Sequence, residues 1–321
     1  MNTWLVSLPD RLDSFLAADG RMLSRAKAQK AIEDGKVSVN DDVVKKPSHR
    51  LQEGDKVSLL TQPETRNSES VEPVDLQLPI LYEDDTCLVI DKPAGIAVHS
   101  GAGMAPGEVT LLHGIAFLFK KKKIPFTPDS VLVHRLDKDT TGCVLIAKTA
   151  AAHLFLQKQF DPSARLGATV KKTYLALVAG IPKVSEATID SPIGRSVSDR
   201  TQMTVFHTAK TREAQTTYRM LAEGKQCALL ECDLHTGRTH QVRVHLSSIG
   251  HPVLGDGTYT NLLSERLTQE YDIRSICLHA WKLSFTSPAD QKAHDVGAVV
   301  PTAFQRAIEG ARIAFSLCHP E

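Results

Sequence analysis

Several features that place a sequence quickly are scarce in this one. Its six cysteines (Cys87, Cys143, Cys227, Cys232, Cys277 and Cys318) form no CxxC pair, so a zinc ribbon is excluded and the thiols read as small buried apolar groups. An excess of charge of one sign is also missing. The 38 Lys+Arg against 37 Asp+Glu leave a net charge of +1, and such a total gives no electrostatic sign of a nucleic-acid binder. No run approaches the roughly 18 apolar residues of a membrane helix. The opening MNTWLVSLPDRLDSF lacks a basic start followed by a long apolar core, so no secretory signal is read. The expected setting is a reducing cytoplasm, with no membrane partner. What is present is an average globular composition, 42% hydrophobic and 23% charged, in 321 residues. Disorder, collagen and coiled coil are disfavoured, and at roughly 150 residues per domain the length implies about two domains.

The chain divides by its rhythm. In residues 1–62, Asp10 is a good N-cap for a helix carrying Leu12, Phe15 and Leu16, closed by Gly20. Ser24 is placed to cap a second helix that turns Ala28, Ala31 and Ile32 inward and stops at Gly35. Short strands follow over 36–39, 43–44 and 56–60, which makes a small ααββ unit. Residues 63–75 have linker composition. From 76 to 321 the pattern predicts strands at 131–134, 144–147, 174–178, 228–232, 241–246 and 283–285, and helices at 111–119, 150–159 and 303–311. Strands separated by short turns, with fewer helices, predict an α+β chain whose larger domain is a mostly antiparallel mixed sheet with flanking helices.

Local counting uncovers positive charge that the total conceals. Between Asp19 and Glu33 the charges are Arg21, Arg25, Lys27 and Lys30; between Asp233 and Asp256 they are Arg238 and Arg243. Lys120–Lys123 and Lys171-Lys172 are further clusters. Phosphate contacts are local and are screened beyond roughly 8–10 Å at physiological salt, so clusters matter more than sums. A lone lysine run is most simply a solvated face. The helix after Ser24 is different, because its apolar face packs inward and leaves the cations outward. Arg11-Leu12-Asp13, Ser24-Arg25, Gly35-x-Val37-x-Val39-Asn40 and Gly54-Asp55 resemble the S4-type RNA-binding domain. The resemblance implies that Arg25, Lys27 and Lys30 rest on an RNA backbone.

Two segments are dense in groups that do chemistry. In His134-Arg135-Leu136-Asp137-Lys138-Asp139-Thr140-Thr141-Gly142 the plain reading is a hairpin in which Asp137 bonds the turn backbone and Gly142 supplies an unusual φ. Asp137, Asp139 and Thr141 also fit an aspartate-nucleophile phosphatase. That reading needs downstream acids and a following helix, and neither is indicated. In Leu234-His235-Thr236-Gly237-Arg238-Thr239-His240-Gln241-Val242-Arg243-Val244-His245 three histidines invite a metal, but neighbours five apart diverge on a strand and on a helix alike. No metal site is expected. Arg238 reads as a fixed cation near the sheet edge. No G-x-S-x-G elbow, Walker loop or GxGxxG accompanies these segments.

Together the blocks resemble the RluA/RluD-like family of pseudouridine synthases. HRLDKDTTG, KTYLALVAG from Lys172 to Gly180, LHTGRTHQVRVH with Gly250-His251-Pro252 and Gly255-Asp256, and Cys277-Leu-His-Ala280 follow in the family's order. Departures are modest: Thr141 stands where serine is usual, Ser130-Val131-Leu132 precedes the signature, and Thr286-Ser287-Pro288 replaces a more usual histidine-proline. The resemblance implies isomerisation of uridine within RNA, in which N1–C1′ breaks, the base turns and C5 bonds C1′. No cofactor is implied. Asp137 matches the catalytic aspartate, acting either on C1′ or on a ribose proton. Arg238 is expected to pair with it and favour its charged form, Tyr174 to stack on the base, and Arg135 to fill the stack vacated by an extruded uridine. Large-subunit ribosomal RNA is the implied substrate. A tRNA target, or a catalytically idle RNA-binding or assembly factor on the same scaffold, is the alternative; oligomeric state is not legible.

Overall fold

A computed structural model describes residues 2–18, 21–22, 25–59, 71–100, 104–105, 107–161, 169–199, 202–206 and 211–315. The expected stop at Gly20, the cap at Ser24, the polar stretch 61–70 and Cys318 lie outside the described residues. The chain forms two compact units, Met1–Val71 and Glu72–Glu321.

In the small unit, helices Leu12–Ala17 and Arg25–Glu33 accompany a sheet of Asn2–Leu5, Lys56–Leu59, Val37–Val39 and Asp42–Val43, in that spatial order and antiparallel throughout. Leu12 and Leu16, then Ala28 and Ile32, recur at helical spacing and are fully buried with Val37 and Val57. Gly35, at φ +71°, ends the second helix, its N–H bonded to Ile32 O. Asp10 does not cap the first helix. It lies in a two-residue ladder, Asp10–Arg11 against Arg50–Leu51, and the N–H groups of Leu12 and Asp13 go to the carbonyls of His49 and Pro47. The backbone of a neighbouring loop thus satisfies donors that a side-chain cap usually takes. Strand Asn2–Leu5 escaped the sequence reading because its residues are mostly exposed and carry no inward alternation.

The large unit is built on one nine-stranded sheet. Its spatial order is Glu186–Asp190, Gln215–Glu223, Cys227–Leu234, Lys171–Ala179, Leu278–Thr286, Thr141–Ala147, Cys87–Lys92 and Ile80–Glu83, with Ala293–Gly297 paired to the far half of Leu278–Thr286. Every ladder is antiparallel except that between Leu278–Thr286 and Thr141–Ala147. Leu88, Ile90, Val144 and Ile146 enter one core, while Cys87, Val89, Cys143 and Leu145 enter another. Successive residues point to opposite faces and both faces are covered, so these strands read as unbroken apolar runs. Helices Leu111–Lys122, Ala150–Gln159, Gln241–Ser248, Leu262–Glu270 and Thr302–Gly310 flank the sheet. Cys87, Cys143, Cys227, Cys232 and Cys277 are buried free thiols, and no described helix is long and apolar enough to cross a membrane.

Two expected strands are not strands. Segment 131–134 is irregular, with one bridge from Leu132 to Ile146. Segment 241–246 opens the helix Gln241–Ser248. Its apparent alternation arises because the helix is buried on most of its circumference: Gln241, Val242, Val244, His245 and Leu246 are all inside. No exposed face is left to mark the helical period.

Candidate active site

Asp137 sits on the irregular segment that leads into Thr141–Ala147, and three features hold that segment. Thr140 N–H closes a turn onto Asp137 O at 3.2 Å. Lys92, wholly buried at the end of its strand, donates to the carbonyls of Pro93, Lys138 and Thr140 at 2.8, 2.8 and 2.9 Å. Burial pushes the Lys92 ammonium down to about 8, against the pull of Asp139 and Asp137. Gly142 follows at φ +108°, where a Cβ would lie 2.2 Å from Ala280 O, so a glycine is required for the parallel strands to approach. Thr141 keeps the hydroxyl its position calls for, and its Oγ1 lies 2.7 Å from His279 Nδ1.

The opposite wall comes from the turn 235–240 and the helix after it. Buried Gln241 pins this turn. Its Oε1 accepts from Arg238 N–H and Thr236 Oγ1, and its Nε2 donates to Gln215 O and Thr216 Oγ1. From the first turn of the helix, Arg243 reaches Asp137: Nη1 donates to Oδ2 at 3.2 Å. Its Nε and Nη2 grip both oxygens of the buried Asp256 at 2.7 and 2.8 Å. Burial alone would lower the Arg243 pKa, but the hydrogen bond and charge of Asp256, with Asp137, raise it above its ordinary value. Asp256 in turn accepts the N–H groups of Thr258 and Tyr259. Arg243 is therefore a fixed cation between a structural carboxylate and an accessible one.

Arg238 is not the partner of Asp137. Its Nε donates to Glu213 O at 3.0 Å. Because 241–246 is a helix, the arginine presented to Asp137 is the one inside its first turn. Arg238 still lines a cavity of about 240 Å³ together with Asp137, Arg135, Tyr174, Lys172 and His240. Tyr174 is buried on the central strand between Cys232 and Ala280, and its hydroxyl has no hydrogen-bond partner among the described residues. Burial, and then the nearby Asp137, raise the Tyr174 pKa above its usual value. Burial pushes Lys172 down to about 8, and Arg238 acts in the same direction. Arg135 is exposed at the rim.

The three histidines part company. His235 meets Thr217 Oγ1 in an exposed contact, His245 is buried against Thr216 and Ser191, and His240 faces the cavity. Among the described residues no group of three or more His, Cys, Asp or Glu is arranged to hold a metal ion. In the sequence Arg243 stands out only as local charge, and no pattern assigns a role to His240, Tyr259, Asp256 or Lys92. Gly255-Asp256 belongs to the blocks that carry the family resemblance, but nothing in the spacing ties it to Arg243.

In the small unit, Arg25 is half-exposed and its Nε donates to the buried Asp13, which also accepts from Arg11 and Gln29. Lys30 is exposed, 3.7 Å from Asp34 one turn on. Lys27 is half-buried.

A cavity that gathers an accessible carboxylate, a clamped arginine and a buried tyrosine on a mixed sheet holds the groups of an acid–base or nucleophilic enzyme site. The chain belongs to the RNA pseudouridylate synthase family, whose model matches residues 86–248; the S4 domain model matches residues 10–57. It is 40% identical to ribosomal large subunit pseudouridine synthase D of Nitrosomonas europaea, over 89% of this chain and 81% of that one. An uncharacterized RNA pseudouridine synthase of Bacillus subtilis is 37% identical over 94% of each chain. Among solved structures, human RNA pseudouridylate synthase domain containing 4 superposes with a TM-score of 0.60 at 26% identity, covering 74% of this chain and 94% of that one.

Proposed function

We propose that this enzyme isomerises particular uridines of large-subunit ribosomal RNA, with Asp137 acting at the ribose of an extruded uridine. The observation that carries the reading is the Arg243 clamp. A guanidinium gripped by Asp256 through Nε and Nη2 offers Nη1 to Asp137, so the carboxylate is oriented before any substrate arrives. In this account Arg243 takes the role that the sequence had given Arg238. Tyr174 supports the base, since its ring lies in the wall and its hydroxyl is unclaimed. Arg135, two residues before Asp137 at the rim, enters the gap left in the RNA stack and meets phosphate. The small unit, with Lys27, Lys30 and Arg25 on its second helix, holds the RNA backbone. The names of the relatives favour ribosomal RNA of the large subunit.

The reading is tested by mapping pseudouridines in RNA from cells that have the protein, lack it, or carry only Asp137→Ala. Discrete large-subunit positions are expected to lose the modification in the second and third cases alike. Loss confined to tRNA would reassign the substrate, and an unchanged map would mark an RNA-binding factor without turnover.

A further inference from the structure

One polar group at the cavity has no part in the account above. His240 Nε2 lies 4.0 Å from Asp137 Oδ1, the carboxylate oxygen that Arg243 leaves open. The residue is in the left-handed region, φ 57°, immediately before the helix Gln241–Ser248, and its carbonyl accepts Val244 N–H. Its other ring nitrogen, Nδ1, is 2.9 Å from Tyr259 Oη, and that same oxygen accepts the backbone N–H of Met203 at 2.9 Å. A phenol has a single proton. With Met203 donating to its oxygen, the acceptor within reach of the Tyr259 proton among the described residues is Nδ1, which takes it when bare. The hydrogen of the neutral imidazole is thereby assigned to Nε2, the nitrogen turned to Asp137.

We propose that His240, held by Tyr259 as the Nε2–H tautomer, is a positioning residue that donates a hydrogen bond to Asp137 Oδ1 once uridine closes the site. Catalytic hydrogen bonds are commonly long without substrate and shorten in the reacting complex. With Arg243 on one oxygen and His240 on the other, the carboxylate plane is fixed, and each oxygen retains a lone pair toward the cavity. The inference rests on the reading of Asp137 as the reacting carboxylate. The charged and titratable groups facing His240 are Asp137, Arg243, Asp256 and Arg135, with Tyr259 at Nδ1. Burial disfavours the imidazolium most, Arg243 and Arg135 add to that, and Asp137 and Asp256 oppose it. The net direction is downward, which keeps the ring neutral at ordinary pH. Protonation puts a hydrogen on Nδ1 against the phenol and breaks the chain of donors.

Single-turnover isomerisation on a ribosomal RNA fragment, with RNA affinity and thermal unfolding measured in parallel, tests this in four full-length variants. A glutamine amide sits where the Nε2 of histidine sits, whereas an asparagine amide reaches only the Nδ1 position. Asparagine, however, tolerates left-handed backbone better than glutamine does. A merely structural role therefore ranks His240→Asn above His240→Gln, and the proposal ranks them the other way. His240→Gln is expected to stay near the wild-type rate and to lose its acid limb. His240→Asn is expected to fall by about 10–100-fold, the effect of one hydrogen bond to a charged group, with RNA affinity unchanged. In Tyr259→Phe, Nδ1 loses its donor and protonates more readily, so the acid limb moves to higher pH. Asparagine equal to or better than glutamine, or an unmoved acid limb in Tyr259→Phe, would overturn the proposal. Asp137→Ala separates the two levels: turnover retained there sinks the reading of Asp137 itself, whereas turnover lost there confines any such failure to His240.

Discussion

Arg238 and Arg243 stand five residues apart in one basic block, and side-chain chemistry alone does not choose between them. The choice is made by Gln241, whose amide ties two polar groups of the turn to two of the strand Gln215–Glu223 and starts a helix, leaving Arg238 on Glu213 O and Arg243 on Asp137. The consequences of substitution should differ accordingly. Arg243→Lys keeps the charge but cannot grip Asp256 bidentately while reaching Asp137. We expect a loss of isomerisation on the order of 100-fold or more, together with a lower melting temperature, because Asp256 is wholly buried beside it. Arg238→Ala should cost less than a tenth of that and leave stability within roughly 0.5 kcal/mol. Steady-state kinetics and calorimetry on the two variants decide the assignment; equal losses would restore Arg238 to the centre. At this scale the motifs single out Asp137, Tyr174 and Arg135, and the three line one cavity. The pairing is not legible, because a salt bridge between residues 106 apart depends on how the helix and the loop are placed, which no local pattern records.

Helices are legible where burial is one-sided, and strands covered on both faces are legible as apolar runs. The helix Ala150–Gln159 was read to the residue, and its Thr149 side chain accepts Ala152 N–H at 3.1 Å as an N-cap. The helix Gln241–Ser248 was read as a strand because it is buried nearly all round, and the exposed strand Asn2–Leu5 was not read at all. In the small unit, the two helices are joined by Asp13, which is fully buried and accepts from Arg11, Arg25 and Gln29. The hydrogen bond from Arg11, opposed by burial and reinforced by Gln29 and Arg25, holds this carboxyl well below its usual 3.8. A depressed folded-state value means the contribution to stability is present above the unfolded value near 3.8 and is lost as pH falls through the folded one. Thermal unfolding of the full chain should therefore show its small-unit transition dropping below about pH 4, with Asp13→Asn removing most of that acid dependence. An acid dependence identical in Asp13→Asn would show that the joint contributes nothing.

Over the whole molecule, the net charge of +1 describes an average rather than a surface. The cations that matter are committed locally: Arg243 between two carboxylates, Arg25 on Asp13, Arg135 and Lys172 at the cavity. Under the proposed function, a near-neutral enzyme with this arrangement is expected to rely on RNA shape and on extrusion of one base, with phosphate contacts acting over short range. Charge balance and catalysis of uridine isomerisation are thus compatible, although composition alone pointed away from nucleic acid. In the proposed reaction this chain turns over uridine in RNA, and Asp137 is the carboxylate that does so. The most direct measurement uses a large-subunit ribosomal RNA fragment tritiated at C5 of uridine, from which isomerisation releases tritium to water as C5 bonds C1′. Wild-type protein is predicted to release tritium from discrete sites, and Asp137→Ala to release none while binding the RNA with unchanged affinity. Tight binding by the wild type without release, or continued release by Asp137→Ala, would contradict it.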